Sequence, residues 1–136
     1  MNSFTLQLRA AELEQRIDGV TEFVGEDASG SFGLRARHER FLTALEFGMA
    51  RFRSGAAPWQ FLAVPRALVY FADNRLTLTT RRYVLDSDYG RISRTLREEL
   101  LTEERALRGV RESLQAMEEY LLRRLWQSGR EARLQR

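Results

Sequence analysis

The sequence contains one histidine, His38, which is the residue best suited to proton transfer near neutral pH. A general base needs an orienting partner and a substrate proton within hydrogen-bonding reach. On an extended chain the neighbours Arg37 and Glu39 point away from His38. Cysteine, the alternative nucleophile and zinc ligand, is absent. We therefore predict that His38 shapes or decorates a loop and that the chain is not an enzyme.

Other polar clusters also lack the partners that their chemistry requires. Ser29 and Ser31 lie among glycines without a nucleophile-elbow pattern around them. The segment "GEDASG", residues 25–30, lacks the Gly-Lys pair of a phosphate-binding loop. Asp86 and Asp88 have the spacing of calcium ligands, but no further ligands follow them. Helix capping explains the two aspartates better, and the sequence predicts no metal site.

All 22 basic residues are arginine, and their charge is unevenly placed. Residues 1–90 contain 11 arginines and 11 acidic residues, whereas residues 91–136 contain 11 arginines and 8 acidic residues, so the net charge of +3 lies there. Acidic residues alternate with these arginines and would repel phosphate, so we expect no nucleic-acid partner. No apolar run approaches the roughly 20 residues of a bilayer span, so we expect no direct membrane insertion.

Alternating apolar residues dominate the first 86 residues. Phe4, Leu6 and Leu8 share one face of an extended segment, and further short runs are rich in Val, Leu, Phe, Tyr and Thr. Turn-forming residues separate these runs: Asp18-Gly19, residues 25–30, Gly48, Ser54-Gly55 and Asp73-Asn74. The pattern predicts an antiparallel β-sandwich or barrel of about ten short strands over residues 1–86. Residues 35–47 also have helical spacing, but among so many short strands residues 30–48 are better explained as two strands joined by a loop.

Beyond residue 86 the composition changes to Leu, Glu and Arg, which predicts a second region, residues 87–136, that is helical. Ser87 or Asp88 suits the N-cap of this helix, and Ser128-Gly129 suits its end. Gly109 is either the turn of a helical hairpin or an interior residue of one helix. The apolar stripe keeps its phase across Gly109, which favours the continuous helix.

The stripe forms a seam with the three-four spacing that is typical of packing along another helix. The seam residues are Leu107, Val110, Leu114, Met117 and Leu121. The arginines that flank the seam are Arg105, Arg108, Arg111, Arg123 and Arg124. A helix of this kind needs a partner that covers its apolar side.

The segment "GSFGLRARHERFLTALEFG", residues 30–48, resembles the epsilon subunit of the rotary F-type ATP synthase. That family has a Gly-x-(Leu/Phe)-Gly-(Ile/Leu) turn, then a histidine, then an L-T-A-L-like strand that ends at a glycine. The matching residues are Gly30, Phe32, Gly33, Leu34, His38, Leu42, Thr43, Ala44, Leu45 and Gly48. The segment "FLAVPRALVYFADNRLTLTTRRYVL" also resembles the later strand pair of the family, and the order of sandwich followed by helix agrees.

Two segments depart from the family pattern. Val64-Pro65-Arg66 stands where the family commonly has Ser-Gly-Gly, and "TTRRY", residues 79–83, stands where it usually has Ala-Asp-x-Ala. These departures suggest a divergent member, of the kind found in the alternate, sodium-linked class. The transported ion, proton or sodium, stays open.

The resemblance implies a non-catalytic subunit that couples ion-driven rotation to the catalytic head. The sandwich would clasp the gamma subunit of the central stalk and dock on the rotor ring of c subunits. The docking loop would contain Ser31, Phe32, Arg35, Arg37, His38 and Arg40. The C-terminal helix would lie along gamma, bring its arginines to acidic loops of the beta subunits and inhibit ATP hydrolysis. The subunit would be a peripheral part of the complex at the cytoplasmic face of the bacterial plasma membrane.

The resemblance implies no resident cofactor. Some family members bind ATP through an (I/L)-D-x-x-R-A signature, which Asp88 and Arg91 match, while Ser87 and Ile92 do not. A weak ATP site at Asp88 and Arg91 is therefore the most that is expected. The alternative that the residues alone leave open is a free-standing β-sandwich adaptor or a nucleic-acid-binding module with a basic helix.

Overall fold

The computed structural model describes the backbone of residues 2–134 and the side chains of residues 2–129. Ten strands precede the helices: β1 (Phe4–Arg9), β2 (Glu14–Val20), β3 (Glu22–Asp27), β4 (Gly30–Arg35), β5 (Phe41–Leu45), β6 (Gly48–Arg53), β7 (Gln60–Val64), β8 (Ala67–Ala72), β9 (Arg75–Thr80) and β10 (Val84–Asp86). Helix α1 (Tyr89–Thr95), a π-helical turn (Leu96–Leu100) and helix α2 (Leu101–Leu134) follow. Residues 30–48 contain two strands and a loop, as predicted.

The ten strands form one continuous hydrogen-bonded sheet that folds at one corner into two layers, which we call sheet I and sheet II. Sheet I has the order β4-β3-β6-β7-β10 and sheet II has the order β5-β8-β9-β1-β2. The corner is a single residue pair, Asp27 with Leu45, between β3 and β5. Among the described strands only β1 and β9 pair in parallel, and the other pairs are antiparallel. The predicted antiparallel sandwich of about ten strands followed by a helix is confirmed.

Asp27 stabilises this corner through its side chain. The hydroxyl groups of Ser29 and Thr43 donate to its carboxylate over 2.6 and 2.7 Å. These two hydrogen bonds, that of Ser29 first, hold the pKa of Asp27 below its usual range. Because Thr43 lies on β5, the bond ties sheet II to the end of β3.

The core lies between the inner faces of the two sheets. Alternate residues of each strand are buried there, including Leu6 from β1, Phe23 from β3 and Phe71 from β8. The rings of Phe4 and Phe71 meet edge to face with their centroids 5.5 Å apart. Within the described residues, no buried side-chain polar atom lacks a hydrogen-bond partner. The core therefore consists of apolar side chains, and the buried polar side-chain atoms that are described have hydrogen-bond partners.

Asp18-Gly19 does not form the turn that the sequence predicts. Both residues lie within β2, where the pairing with β1 shifts between Phe4 opposite Val20 and Leu6 opposite Ile17. Gly19 has φ +73°, a conformation that favours glycine. An Asp-Gly pair marks a bulge here because bulges and tight turns make the same demand on the backbone.

Helix α1 begins at the predicted cap. Asp88 has extended backbone geometry and its side chain accepts a hydrogen bond from the backbone N–H of Arg91. Ile92 and Leu100 are fully buried in a second apolar cluster, with Ala63 of β7. Steps of four residues drift by about 40° in a regular helix. The π-helical turn, which is wider, offsets this drift between Ile92 and Leu100.

Helix α2 passes through both glycines that the sequence analysis considered as breaks. No turn occurs at Gly109, so the continuous helix is the correct alternative and the hairpin is wrong. The helix also continues past Ser128-Gly129, which we expected to end it, and reaches Leu134. A glycine costs about 1 kcal/mol in a helix, which is too little to end one without further breakers.

The chain divides into two compact units, one ending at Leu101 and the other beginning at Thr102. The first unit therefore contains α1 and the π-helical turn in addition to the strands. The boundary at residue 86 between an autonomous sandwich and a regulatory region stays a prediction.

Candidate interaction surfaces

The predicted docking loop, residues 31–38, is mostly strand. Ser31 to Arg35 belong to β4, and only residues 36–40 form the connection to β5. Ser31 is exposed, but Phe32 points inward. The centroid of its ring lies 6.4 Å from that of Phe23 and 5.3 Å from that of Phe41. Phe32 therefore packs on the core side of β4, Ser31 and the three arginines of the set are exposed, and His38 is half-buried.

Asn74 holds the 36–40 connection in place. Its side-chain oxygen accepts from the backbone N–H of Arg37 over 2.7 Å, and its side-chain nitrogen donates to the carbonyl of Ser3 over 2.7 Å. Arg37 and Asn74 both adopt positive φ, at 63° and 57°. One amide thus ties the β4–β5 connection and the β8–β9 turn to the start of β1. We call this end of the sandwich, which carries Arg35, Arg37 and Arg40, the arginine end. The two hydrogen bonds of Asn74 fix its backbone.

His38 is half-buried and supports this end from inside. Its ring meets the rings of Phe41 and Phe71 edge-on, with centroids 5.7 and 5.9 Å apart, and its Nδ1 lies 2.7 Å from the carbonyl oxygen of Glu39. Its backbone N–H donates to the carbonyl of Arg35. No orienting carboxylate contacts the imidazole among the described residues. His38 is positioned for packing and hydrogen bonding.

The arginine end presents guanidinium groups that protein carboxylates compensate poorly. Arg35 is 80% exposed at its side chain and lies 3.8 Å from Glu22, at the limit of an ion pair. Arg37 and Arg40 are exposed, and neither makes an ion pair within residues 2–129. Exposed cations of this kind can bind carboxylate groups of a partner and will be screened by salt.

An exposed apolar patch lies on the outer side of β5 and β8 in sheet II, and the sequence analysis did not identify it. Leu42 of β5 lies opposite Tyr70 of β8, and Ala44 lies opposite Leu68. Leu42, Leu68 and Tyr70 are 61, 53 and 39% exposed. The available signal was parity: these apolar residues alternate with the core residues of the same strands. A contiguous apolar patch on a sheet indicates a protein contact.

The seam of α2 is exposed over most of its length. Leu107 is half-buried, whereas Val110, Leu114, Met117 and Leu121 are each more than half exposed. The five flanking arginines are exposed as well, and none makes an ion pair among the described side chains. Arg124 instead lies over the ring of Tyr120, 5.8 Å from its centroid, and donates to its hydroxyl. The helix therefore presents an apolar stripe beside guanidinium groups that have no carboxylate partner among the described side chains.

Asp88 and Arg91, the two residues of the weak ATP signature, are both engaged. Asp88 caps α1, and the guanidinium of Arg91 donates two hydrogen bonds to the carboxylate of Asp86, at 2.5 and 2.7 Å. This pairing with Arg91, aided by the backbone N–H of Asp88, lowers the pKa of Asp86 to about 2. The structure thus assigns the two residues to a cap and an ion pair.

Two kinds of site are absent from the part of the chain that the structure describes. No group of three or more His, Cys, Asp or Glu side chains there is arranged to hold a metal ion. No helix there is long and apolar enough to cross a membrane.

Comparison with known proteins identifies relatives of the sandwich. Residues 3–86 match the family described as "ATP synthase, Delta/Epsilon chain, beta-sandwich domain". The chain is 35% identical over 103 residues to ATP synthase epsilon chain 2 of Cereibacter sphaeroides, covering 75% of this chain and 69% of that protein.

One solved structure agrees at the level of the fold. A chain of the Euglena gracilis mitochondrial ATP synthase, from a structure of OSCP, F1 and c-ring, has a TM-score of 0.55 at 16% identity and covers 68% of this chain. A chain from the central stalk and c-ring of the Tetrahymena thermophila enzyme has a TM-score of 0.49 at 16% identity and covers 59%. The matched regions span only 61 and 64% of those two chains.

Proposed function

Because this chain belongs to the family of ATP synthase delta and epsilon chains, we propose that it is the non-catalytic epsilon-type subunit of a rotary ATP synthase. In this role it couples ion-driven rotation of the c ring to the catalytic head. It is then a peripheral part of the complex at the cytoplasmic face of the bacterial plasma membrane. The observation that carries the proposal is the family match over residues 3–86, joined to a following helix whose apolar stripe is exposed.

The gamma subunit of the central stalk is the proposed partner of the apolar patch. Leu42, Leu68 and Tyr70 offer a flat apolar contact, which a stable subunit interface would remove from water. A subunit that transmits torque must also be held on more than one side. The patch and the arginine end supply two separate contacts of different chemistry.

The c ring is the proposed partner of the arginine end. Arg35, Arg37 and Arg40 would pair with polar and acidic loops of the ring, through contacts that depend on charge more than on buried area. The double reversal Arg35→Glu with Arg37→Glu should weaken assembly on the ring and flatten its salt dependence. Binding is measured by co-purification at several salt concentrations. The matched control is Arg94→Glu with Arg97→Glu on the helical segment, which should change neither quantity.

The proposed regulatory element is α2. Its seam would pack along gamma, and Arg105, Arg108, Arg111, Arg123 and Arg124 would reach acidic loops of the beta subunits and brake hydrolysis. Removal of the residues after Arg105 should raise ATP hydrolysis by the assembled complex several-fold while subunit stoichiometry is unchanged. A control substitution on the polar side, Gln115→Ala, should leave the rate at the wild-type value.

Unchanged hydrolysis in the truncated complex at normal stoichiometry would refute the brake and leave α2 as a structural clasp. Failure of the full chain to co-purify with gamma would refute the subunit assignment itself. The alternative, a free-standing adaptor, would then account for the same exposed surfaces. We propose no ATP site at Asp88 and Arg91, because nucleotide phosphates would have to displace Asp86 from Arg91.

A further inference from the structure

The outer face of sheet I carries a tryptophan that two guanidinium groups share. The guanidinium carbons of Arg51 and Arg53 lie 4.6 and 4.4 Å from the ring centre of Trp59. Both distances are within the range of cation–π contacts. Strand register explains the arrangement: Arg51 and Arg53 point outward from β6, and Trp59 is two residues before Phe61, which lies opposite Arg51 on β7.

One of these two cations lacks a carboxylate. Glu22, opposite Arg53 on β3, accepts two hydrogen bonds from Arg53 at 3.0 and 3.2 Å and lies near Arg35 as well. Arg51 makes no ion pair within residues 2–129. Like charges on one ring repel each other, so this face keeps an uncompensated guanidinium beside a rigid aromatic plane. A carboxylate that arrives there can bind Arg51 through two parallel hydrogen bonds.

An open groove of about 300 Å³ adjoins this charge on the same face. Val24, Met49, Phe61 and Tyr89 give it an apolar lining, and Phe61 and Tyr89 meet edge to face with centroids 5.4 Å apart. Arg51 also lines it. Neighbouring residues on one face of a strand are about 7 Å apart. Because Arg51 is part of the lining, an apolar side chain two residues from a carboxylate that binds Arg51 lies on the same face of an extended peptide and can enter the groove.

We propose that this face docks an acidic peptide segment of a partner protein, with a carboxylate on Arg51 beside Trp59 and an apolar side chain in the groove. Glu22 and Glu26 decide against a polyanionic surface such as nucleic acid or an anionic membrane, because both carboxylates face the same side and would repel repeated phosphates. A single carboxylate with an apolar neighbour satisfies the one open cation and the groove together. The proposal holds whether or not the chain is a rotor subunit.

The test uses the full chain and two synthetic peptides, Gly-Glu-Gly-Phe-Gly and Gly-Gln-Gly-Phe-Gly, each amidated at its C-terminus and labelled with fluorescein, so that the carboxylate and the phenyl ring share one face of the extended peptide. At low ionic strength the acidic peptide should bind at least tenfold more tightly than the neutral one, as measured by fluorescence anisotropy. Arg51→Gln should bring the acidic peptide to the affinity of the neutral peptide. Arg94→Gln, a matched loss of one exposed cation on α1, should change neither affinity.

Two further measurements locate the site. In a Trp126→Phe background Trp59 is the only tryptophan, so with selective tryptophan excitation the unlabelled acidic peptide should change the emission if it binds at this face. Arg51→Lys keeps the charge but loses the planar pair of donors, so its affinity should fall between those of wild type and Arg51→Gln. Equal affinity for the two peptides, no binding of either, or binding insensitive to Arg51 would overturn the proposal. Binding of anionic vesicles or of DNA that depends on Arg51, without peptide binding, would also overturn it.

Discussion

The sandwich and helix α2 treat their apolar residues in opposite ways. In the sandwich, Leu6, Phe23 and Phe71 are completely removed from water. In α2, the seam residues Leu114 and Met117 remain about 60% exposed, although their spacing is just as regular. Both regions are patterned for burial, but only the sandwich supplies the opposing surface.

This difference separates two uses of a periodic sequence. The apolar faces that the alternating strands create are buried within the chain, because each sheet covers the inner face of the other. The three-four seam of α2 is incomplete, because a single helix has no second helix to receive its side chains. Burial within the chain predicts stability, whereas regular exposure predicts association. Substitutions in the two regions should therefore change different measurable quantities.

The largest expected effect is on folding and belongs to the sandwich. Phe71→Ala should lower the free energy of unfolding by about 3 to 5 kcal/mol, because it removes a fully buried ring that also contacts Phe4 and His38. Leu114→Ala in α2 should change it by less than about 0.5 kcal/mol. Urea unfolding of the isolated chain measures both. A comparable loss in the two variants would show that α2 is buried in solution.

A proline in α2 tests the other side of the comparison. Val110→Pro costs roughly 3 kcal/mol within a helix and breaks its hydrogen-bond ladder. Far-ultraviolet circular dichroism should lose helical signal while the unfolding midpoint of the sandwich stays constant. In the assembled complex the variant should raise hydrolysis as the truncation does.

Gly109→Ala, at the neighbouring position, should stabilise the helix that Val110→Pro breaks. Apart from the chain neighbours and the backbone of its own helical turns, nothing lies within 4 Å of the added methyl group, so helix stability, measured by thermal unfolding of the circular dichroism signal, should increase by about 1 kcal/mol. For the proline variant, a circular dichroism spectrum identical to that of wild type would contradict the continuous helix.

A smaller effect should show where the sandwich ends as a folding unit. Residues 1–86 should fold cooperatively with a β-type spectrum, but a fragment of residues 1–101 should be more stable by about 2 kcal/mol. The longer fragment buries Ile92 and Leu100, and each buried aliphatic side chain contributes about 1.5 to 3 kcal/mol before the entropy of ordering the helix is subtracted. Equal urea midpoints would mean that the helical segment adds nothing, and an insoluble 1–86 fragment would refute its autonomy.

The smallest expected effect is a pH dependence at the start of α1. Because Arg91 lowers the pKa of Asp86 to about 2, the folded state binds fewer protons than the unfolded state between that value and the usual 3.8. This contribution is present above about pH 4 and is lost as the pH falls toward 2. Asp86→Asn should reduce the slope of stability against pH in that window.

Arg91→Gln removes the other partner and should reduce the same slope. Unfolding midpoints at several pH values measure it for each variant. The double variant should match either single variant, since one interaction is removed in all three. A slope unchanged from wild type would show that the ion pair is not formed in solution.

Sequence patterns predicted the two layers because they depend on residues close together in the chain. The alternation in "FTLQLR" and "ALVYFA" became β1 and β8, and Asp88 caps α1 as expected. Local chemistry could not separate a bulge from a turn at Asp18-Gly19, since glycine with positive φ serves both. It also could not end α2 at Ser128-Gly129, where no proline follows to enforce a stop.

The surfaces were harder to predict because their contacts join residues distant in sequence. His38 was read from its neighbours, yet its ring packs on Phe71, which is 33 positions away. Trp59 was not singled out, because its role depends on the register that places Arg51 and Arg53 on the same face. Alternation shows which residues of a strand point outward, but only the pairing of strands shows which outward residues meet.

Very few residue types can replace Asn74, because the backbone conformation and two hydrogen bonds at this position must be provided together. The position requires a positive φ, an acceptor for the N–H of Arg37 and a donor for the carbonyl of Ser3. Glycine adopts the backbone conformation but offers neither group, aspartate offers only the acceptor, and glutamine carries both groups on a longer arm without the preference for positive φ. Among natural variants of this chain, position 74 should therefore tolerate substitution only when positions 3 and 37 find another means of connection.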